Sequence, residues 1–480
     1  MSVTRALYID GEWVETDDSI ENINPSDTTE SVGRYAQATP ELADHAIASA
    51  NRAAKEWGQS PMETRYQMLM AIGTELIDRS AELGELLARE EGKTRAEGVG
   101  EVVRSGQFFH YFAAEVHRQI DDRVDSVRPG IEIETRREPI GVVAVISPWN
   151  FPMATAVWKI APALAFGNAV IFKPANLVPA SAWALTEIIA RQSALPRGAF
   201  NLLMGGGGTV GNHIINSDQI HAVTFTGSLP VGRQVATATA ANLVKCQLEM
   251  GSKNALIIAA DADLDVAVSA AFAGAYSGTG QKCTASSRLI VDESVHDAFV
   301  EKLAAKLATV RVGHALEEGV DMGPVASEAQ LLENLAWVKR GVEEGATLLL
   351  GGERLELSSP GFYMSPALFV DTDNAMTINR EELFAPIACV IRARDYEHAL
   401  EILNDTDFGL TAGIITQSLA TASDFKKRAV SGCVMVNLPT AGTDYHVPFG
   451  GRKASSFGPR EQGQYAREFY TTVKTSYLQA

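Results

Sequence analysis

A cysteine in a loop, a glutamate ending an apolar run and an asparagine beside a tryptophan form a chemically coherent set in this chain. Cys283 sits in Gly280-Gln281-Lys282-Cys283-Thr284, Glu249 in Gln247-Leu248-Glu249-Met250-Gly251, and Asn150 in Ser147-Pro148-Trp149-Asn150-Phe151-Pro152. A thiolate attacks a carbonyl carbon, a carboxylate activates water, and a side-chain amide holds an oxyanion between those events. Together they predict acyl transfer through a covalent thioester. Cys246, Cys389 and Cys433 lie in apolar runs, the setting of a small buried hydrophobe. Cys283 follows a polar, glycine-containing stretch and alone has a loop-like setting.

Elements that could position these groups follow from the hydrophobic pattern. Gly141 to Ile146, Ala169 to Lys173, Phe200 to Met204 and Ala222 to Thr226 read as strands. Ala154 to Phe166, Ala180 to Arg191 and Val231 to Ala241 read as helices between them, with apolar residues three and four apart. Such alternation predicts a parallel sheet covered by helices. Upstream, Glu41 to Trp57 and Glu63 to Phe112 read as mainly helical. Past Gly251 a second α/β series runs through strands 255–260, 288–291, 367–370, 413–416 and 432–437, with helices 264–276, 295–310, 331–344 and 420–429. Residues 125–138 alternate as a strand pair around Arg128-Pro129-Gly130, and 469–477 as a terminal strand. An edge of that kind needs cover from another chain.

Composition narrows the class. The chain has 480 residues, 46% hydrophobic content and a formal net charge of −18, which fits a soluble protein of more than one domain. That acidity argues against a nucleic-acid footprint or adhesion to an anionic membrane. Four cysteines without CxxC spacing predict neither a zinc site nor a disulfide framework, so no metal and a reducing compartment are expected. Apolar runs are too short to span a bilayer, and Met1-Ser2-Val3-Thr4-Arg5 lacks the apolar core of a signal peptide. A cytoplasmic location is the expectation.

The three reactive segments resemble the aldehyde dehydrogenase superfamily. The likeness runs from Ile9-Asp10-Gly11-Glu12-Trp13 to Thr471-Thr472-Val473-Lys474 and includes Phe172-Lys173-Pro174, Phe225-Thr226-Gly227-Ser228, Glu381-Glu382-Leu383-Phe384-Ala385-Pro386 and Pro448-Phe449-Gly450-Gly451. The resemblance implies an α/β fold with a Rossmann-like cofactor domain (1–120 and 140–251), an α/β catalytic domain (252–454) and a small β extension for oligomerisation (121–139 and 465–480). By the same resemblance Cys283 is the nucleophile, Glu249 the general base, and Asn150 shares the oxyanion with the Cys283 backbone N–H. A homodimer or homotetramer acting on a small aldehyde is implied. Met250, Ser252 and Ala385 depart from the family pattern, Ser252 and Ala385 standing where glycine is usual.

Gly206-Gly207-Gly208-Thr209-Val210-Gly211 satisfies G-x-G-x-x-G between a strand and a helix, pointing to a dinucleotide pyrophosphate, although no acidic residue ends the next strand. The resemblance places phosphates near Gly207 and the helix beginning at Ser228, the adenosine ribose at Lys173, and the nicotinamide ribose at Glu382. Ile146, Ser147, Pro148, Trp149 and Phe384 complete the implied coenzyme site. Asn176 stands where NAD-selective relatives often carry glutamate. An amide there does not repel a 2′-phosphate, so NADP as well as NAD is expected.

Residues 279–291 and 437–453 are most similar to a narrower group, the α-ketoglutaric semialdehyde (2,5-dioxopentanoate) dehydrogenases of sugar-acid catabolism. Phe151, Trp158, Lys282, Thr284, Tyr445, His446 and Phe449 form the implied substrate pocket. Trp158 occupies the position at which succinic semialdehyde dehydrogenases often carry an arginine, so another cation must serve, with Lys282, His446 and Arg452 as candidates. Succinic semialdehyde and a broad or aromatic aldehyde are the alternative substrates. A structural, inactive member would lack the nucleophile or base, and a CoA-acylating member usually lacks the base.

Overall fold

The computed structural model describes residues 4–118 and 121–479. Met1 to Val3 of the opening segment, and the expected boundaries at 120 and 480, lie outside the described residues.

Val142–Ile146, Ala169–Lys173 and Ala222–Thr226 are short apolar runs, and both faces of each are covered. That is the signature of parallel strands between helical layers. They sit in an eight-stranded sheet ordered Ser456–Phe457, Lys245–Glu249, Ala222–Thr226, Val142–Ile146, Ala169–Lys173, Phe200–Leu202, Leu7–Ile9, Glu12–Val14. The hairpin at one edge turns through Asp10 (φ 52°) and Gly11 (φ 78°), the paired left-handed residues of a tight hairpin turn. At the opposite edge Ser456–Phe457 pairs antiparallel with Lys245–Glu249.

A seven-stranded sheet follows, ordered Thr347–Leu350, Ala367–Thr372, Ile387–Ala393, Ser286–Asp292, Asn254–Ile258, Thr411–Ile415, Cys433–Val436. Ile387–Ala393 lies near its middle and Tyr396–Asn404 is a helix against it; neither is among the elements expected above. Apolar side chains of the first sheet and its helices form one core from Leu7 to Met250, rejoined by Ala466, Phe469 and Tyr470.

Two smaller sheets complete the chain. Thr471–Gln479 pairs antiparallel with Ile131–Pro139, which pairs with Asp122–Asp125. The terminal strand begins at Thr471, not Phe469, because Arg467–Tyr470 forms a helical turn that buries Phe469 and Tyr470 in the first core. Thr4–Arg5, Ser19–Asn24 and Asp27–Ala36 form a sheet that the hydrophobic pattern does not announce, since its strands are largely polar and half-exposed.

Candidate active site

The loop leading to Cys283 is built on consecutive left-handed residues. Gly278 (φ 60°), Thr279 (φ 55°) and Gly280 (φ 66°) turn the chain sharply after the Leu264–Ala275 helix. A Cβ on Gly280 would stand 2.1 Å from the Ala385 carbonyl oxygen, so only glycine fits there. Thr279 is β-branched and strained at positive φ, and its hydroxyl donates to the Gly323 carbonyl at 3.2 Å. Asn254 Nδ2 donates to the carbonyls of Cys283 at 2.7 Å and Ala285 at 3.0 Å, fixing the far side of the loop. Burial, reinforced by the carboxylates of Glu382 and Glu249, pushes the Cys283 thiol well above the ordinary thiol range.

Asn150 lies in the loop between Val142–Ile146 and the Ala154–Ala165 helix. Its Nδ2 donates to the Gln281 carbonyl at 2.9 Å, which leaves a second N–H on the same nitrogen. A buried ion pair stands behind it. Lys93 Nζ donates to Glu101 Oε2 at 2.6 Å and to the Asn150 carbonyl at 2.8 Å. Glu101 Oε1 accepts from the N–H groups of Met153 at 2.9 Å and Ala154 at 3.0 Å. A carboxylate thereby caps the Ala154–Ala165 helix, whose own N-cap residue supplies no side-chain bond.

Glu249 is the last residue of its strand, buried, and accepts a hydrogen bond from Ser456 Oγ at 2.5 Å. Gly450 lies so close that a Cβ there would sit 2.7 Å from Glu249 Oε1. Burial, then the charge of Glu461, pushes the Glu249 carboxyl well above the ordinary carboxylate range. Glu461 pairs in turn with Lys159, and Lys159 donates to Thr224 Oγ1 at 3.0 Å. Lys159 and Glu461 are absent from the residues expected above. A visible signal exists in Ala154–Ala165, an apolar helix interrupted by one fully buried lysine, since a buried charge requires a partner.

Cys283, Glu249 and Asn150 line one cavity of about 500 Å³. Its other walls include Ile146, which ends one strand, with Ser147, Pro148 and Trp149 after it, and Lys173, which ends the next, with Asn176 beyond. Gly207, Ser228, Glu382 and Phe384 also line it. The residues present fit a dinucleotide. Ser147 Oγ and Thr226 Oγ1 are buried without a protein partner. Ser228 makes no capping bond, so the first amides of Leu229–Ala241 lack a side-chain acceptor and suit an anion. A Cβ on Gly207 or Gly208 would meet no atom within 4 Å, so their lack of side chains leaves open space instead of serving protein packing. Lys173 is buried, which pushes its ammonium down to about 8. Burial likewise raises Glu382 to about 7, although Ser252 N–H donates to its Oε1 at 2.8 Å. The Ser252 hydroxyl is accommodated by donating to Asn254 Oδ1 at 2.7 Å. Among the described residues no cluster of His, Cys, Asp or Glu could hold a metal ion, and no helix is long and apolar enough to cross a membrane.

Residues 13–476 match the family model described as "Aldehyde dehydrogenase family". The chain belongs to the aldehyde dehydrogenase family. Among its relatives, the alpha-ketoglutaric semialdehyde dehydrogenase of Bacillus subtilis (strain 168) is 40% identical over 481 residues, 99% of this chain and 98% of that one. The 2,5-dioxopentanoate dehydrogenase of Saccharolobus solfataricus is 36% identical over 459 residues, 95% of each chain. In structure, this aldehyde dehydrogenase is similar to betaine aldehyde dehydrogenase from Staphylococcus aureus in complex with NAD+, with a TM-score of 0.96 and 31% identity, covering 99% of this chain and 95% of that one. It is equally similar to 3,6-anhydro-L-galactose dehydrogenase in complex with NADP, with a TM-score of 0.96, 32% identity, and coverage of 99% and 100%.

On the substrate side of this aldehyde dehydrogenase, Phe151, Trp158 and Phe449 line the cavity beside Cys283. Trp158 and Phe449 have ring centroids 5.6 Å apart. Lys282 does not face that cavity. Its Nζ donates to the Ala273 carbonyl at 2.9 Å and Ser277 Oγ at 2.7 Å, and burial pushes the ammonium down to about 8. The Thr284 carbonyl accepts from Thr440 Oγ1 at 2.7 Å, outside the lining. Tyr445 packs edge-on against Phe108 at 6.3 Å and Tyr111 at 6.1 Å, and exposed His446 packs on Tyr445 at 5.4 Å. Arg452 is exposed and contributes nothing to the cavity wall.

Proposed function

We propose that this aldehyde dehydrogenase oxidises α-ketoglutaric semialdehyde to 2-oxoglutarate, with NADP or NAD as hydride acceptor, through a thioester on Cys283. The observation that carries the chemistry is the convergence of a thiol, a buried carboxylate and a side-chain amide on one cavity that also holds the implied coenzyme residues. The substrate reading is supported by relatives at 36–40% identity whose names give this aldehyde.

When bound, the oxidised nicotinamide supplies a positive charge near the thiol and accepts the hydride. This chain's residues supply the remainder. Cys283 reacts as its thiolate, the thiol proton having passed to solvent; Sγ bonds the aldehyde carbon as the C=O π pair moves to oxygen, and the resulting oxyanion is held by the spare Nδ2 hydrogen of Asn150 and the Cys283 N–H. Once the hydride has left, the carbonyl reforms as a thioester. Glu249 then takes a proton from water as the water oxygen attacks, the C–S bond breaks, and the sulfur regains a proton. A carboxylate with raised proton affinity suits that role, and its presence favours release of free acid over transfer to CoA.

The reading extends to a cytoplasmic homodimer or homotetramer in sugar-acid catabolism. Free cysteines support a reducing compartment. The outer edge of Thr471–Gln479, which pairs on one side only, supports assembly through 121–139 and 465–480.

Absorbance at 340 nm with α-ketoglutaric semialdehyde, succinic semialdehyde, pentanal and benzaldehyde, each with NAD and NADP, tests the assignment. Cys283→Ala should reduce turnover to background while coenzyme still binds, and Asn150→Ala should cost about 10²-fold or more. More efficient turnover of pentanal or benzaldehyde than of either semialdehyde overturns the substrate reading.

A further inference from the structure

We propose that Arg104 holds the distal carboxylate of the aldehyde and selects anionic substrates, an inference that rests on the charged-aldehyde reading above. Glu97, Glu101, Arg104 and Phe108 follow at spacings of four, three and four along the Arg95–Val116 helix, so they share one face. That face is tied to the site above and below Arg104. Glu97 Oε1 accepts from Gly278 N–H of the nucleophile loop at 2.7 Å, and Glu101 accepts the amides that follow Asn150. One turn beyond Arg104, Phe108 packs edge-on against Trp158 at 6.0 Å. Trp158 itself lines the Cys283 cavity. A continuous aromatic wall therefore runs from Phe449 through Trp158 and Phe108 to Tyr445, and the Arg104 guanidinium lies 5.4 Å from the Tyr445 ring centre.

Arg104 is poised for a ligand. Its guanidinium lies within cation–π range of the Tyr445 ring, and its N–H groups can meet a planar carboxylate. Among the described residues it makes no hydrogen bond, and its acidic partner is Asp444, 3.9 Å away and 68% exposed. Such a pair is weak and readily exchanged for a substrate carboxylate. The competing cations are committed or turned away. Lys93 and Lys159 are buried against Glu101 and Glu461, Lys173 lines the cavity on its coenzyme side and donates to the Pro174 carbonyl at 2.8 Å, Lys282 points to Ala273 and Ser277, and Arg460 packs at Gly450 outside the cavity lining. An aldehyde bound at Cys283 would lie along the aromatic wall with its charged end toward Arg104.

The test is kcat/KM for α-ketoglutaric semialdehyde, pentanal and the cationic betaine aldehyde in wild type, Arg104→Met, Arg104→Lys and Arg104→Glu. Arg104→Met should lower the anionic-to-pentanal ratio roughly ten- to a hundredfold, the range of one charged hydrogen bond, while pentanal turnover stays near wild type and reports an intact fold. Arg104→Lys should recover part of the loss, mainly in KM. Arg104→Glu should shift preference from the anionic toward the cationic aldehyde. Anionic-to-pentanal and anionic-to-cationic ratios unchanged in all three variants overturn the role of Arg104. Wild-type preference for pentanal would instead sink the substrate reading, and the charge-reversal ratio would still decide Arg104.

Discussion

Lys93 donates to the backbone carbonyl of Asn150 at 2.8 Å, so a residue that lines the Cys283 cavity is held from behind by a buried ammonium. The same ammonium is neutralised by Glu101, which also caps the next helix. One ion pair thus orders the backbone on both sides of Phe151.

Removing one partner strands the other. Lys93→Met should cost about 3–5 kcal/mol through the uncompensated Glu101 charge, and the Lys93→Met/Glu101→Gln pair should recover part of that loss. Thermal unfolding of the single and double variants checks the coupling. Equal loss in the single and double variants would contradict it.

Glu249 gives a pH dependence with a defined sign. Its carboxyl is raised above the ordinary 4.5, so the ionised fraction, and with it thioester hydrolysis, should increase as pH rises toward its folded value. Stability moves the other way. The folded protein retains a proton that the unfolded chain releases, so this contribution is complete below 4.5 and is lost as pH climbs through the folded value. Glu249→Gln should flatten both trends and give a stoichiometric burst of reduced coenzyme with acyl-enzyme visible by intact mass. Steady turnover at the wild-type rate would exclude the assigned role.

Glu382, raised to about 7, should make coenzyme binding pH-dependent. Ribose hydroxyls donate better to a carboxylate than to a carboxylic acid, so Kd should fall as pH rises from about 6 to about 8. Fluorescence titration of Glu382→Gln should show a weaker Kd that no longer improves between about pH 6 and about 8.

Asn176 is exposed at the cavity and lies 3.4 Å, Nδ2 to Oε1, from Gln37. A carboxylate there would repel a 2′-phosphate, so Asn176→Glu should raise the KM for NADP much more than that for NAD. An unchanged ratio places coenzyme selection elsewhere.

Truncation after Tyr470 retains the buried Phe469 and Tyr470 and removes only the outer strand. Sedimentation velocity should then show monomers or loss of soluble protein. An unaltered oligomer would refute pairing across subunits.

The reactive trio is legible in the sequence because each member stands in a compact local motif, and a strand's last residue or a glycine turn shows in a few neighbouring letters. Arg104, Lys159 and Glu461 are not. Arg104 gains meaning only when its helix packs face-on to the loops of residues 150 and 278, and Glu461 only when it meets Lys159, 302 residues earlier. The polar strands within residues 4–36 carry no apolar alternation to read. Phe469 and Tyr470 mislead because the alternating pattern of the terminal strand continues backward through residues that the core claims for itself.

Ser456 reaches the Glu249 carboxylate across 207 residues of intervening chain, and the short strand that carries it closes the edge beside Glu249. During synthesis, Asn150, Glu249 and Cys283 all leave the ribosome before the segment that carries Ser456. A shortened message ending before Ser456 would therefore yield a polypeptide that holds Cys283 and Glu249 but lacks the hydroxyl that bonds the Glu249 carboxylate. The Ser456 contact to Glu249 therefore forms only after most of the chain has been made, and Cys283 is present well before it.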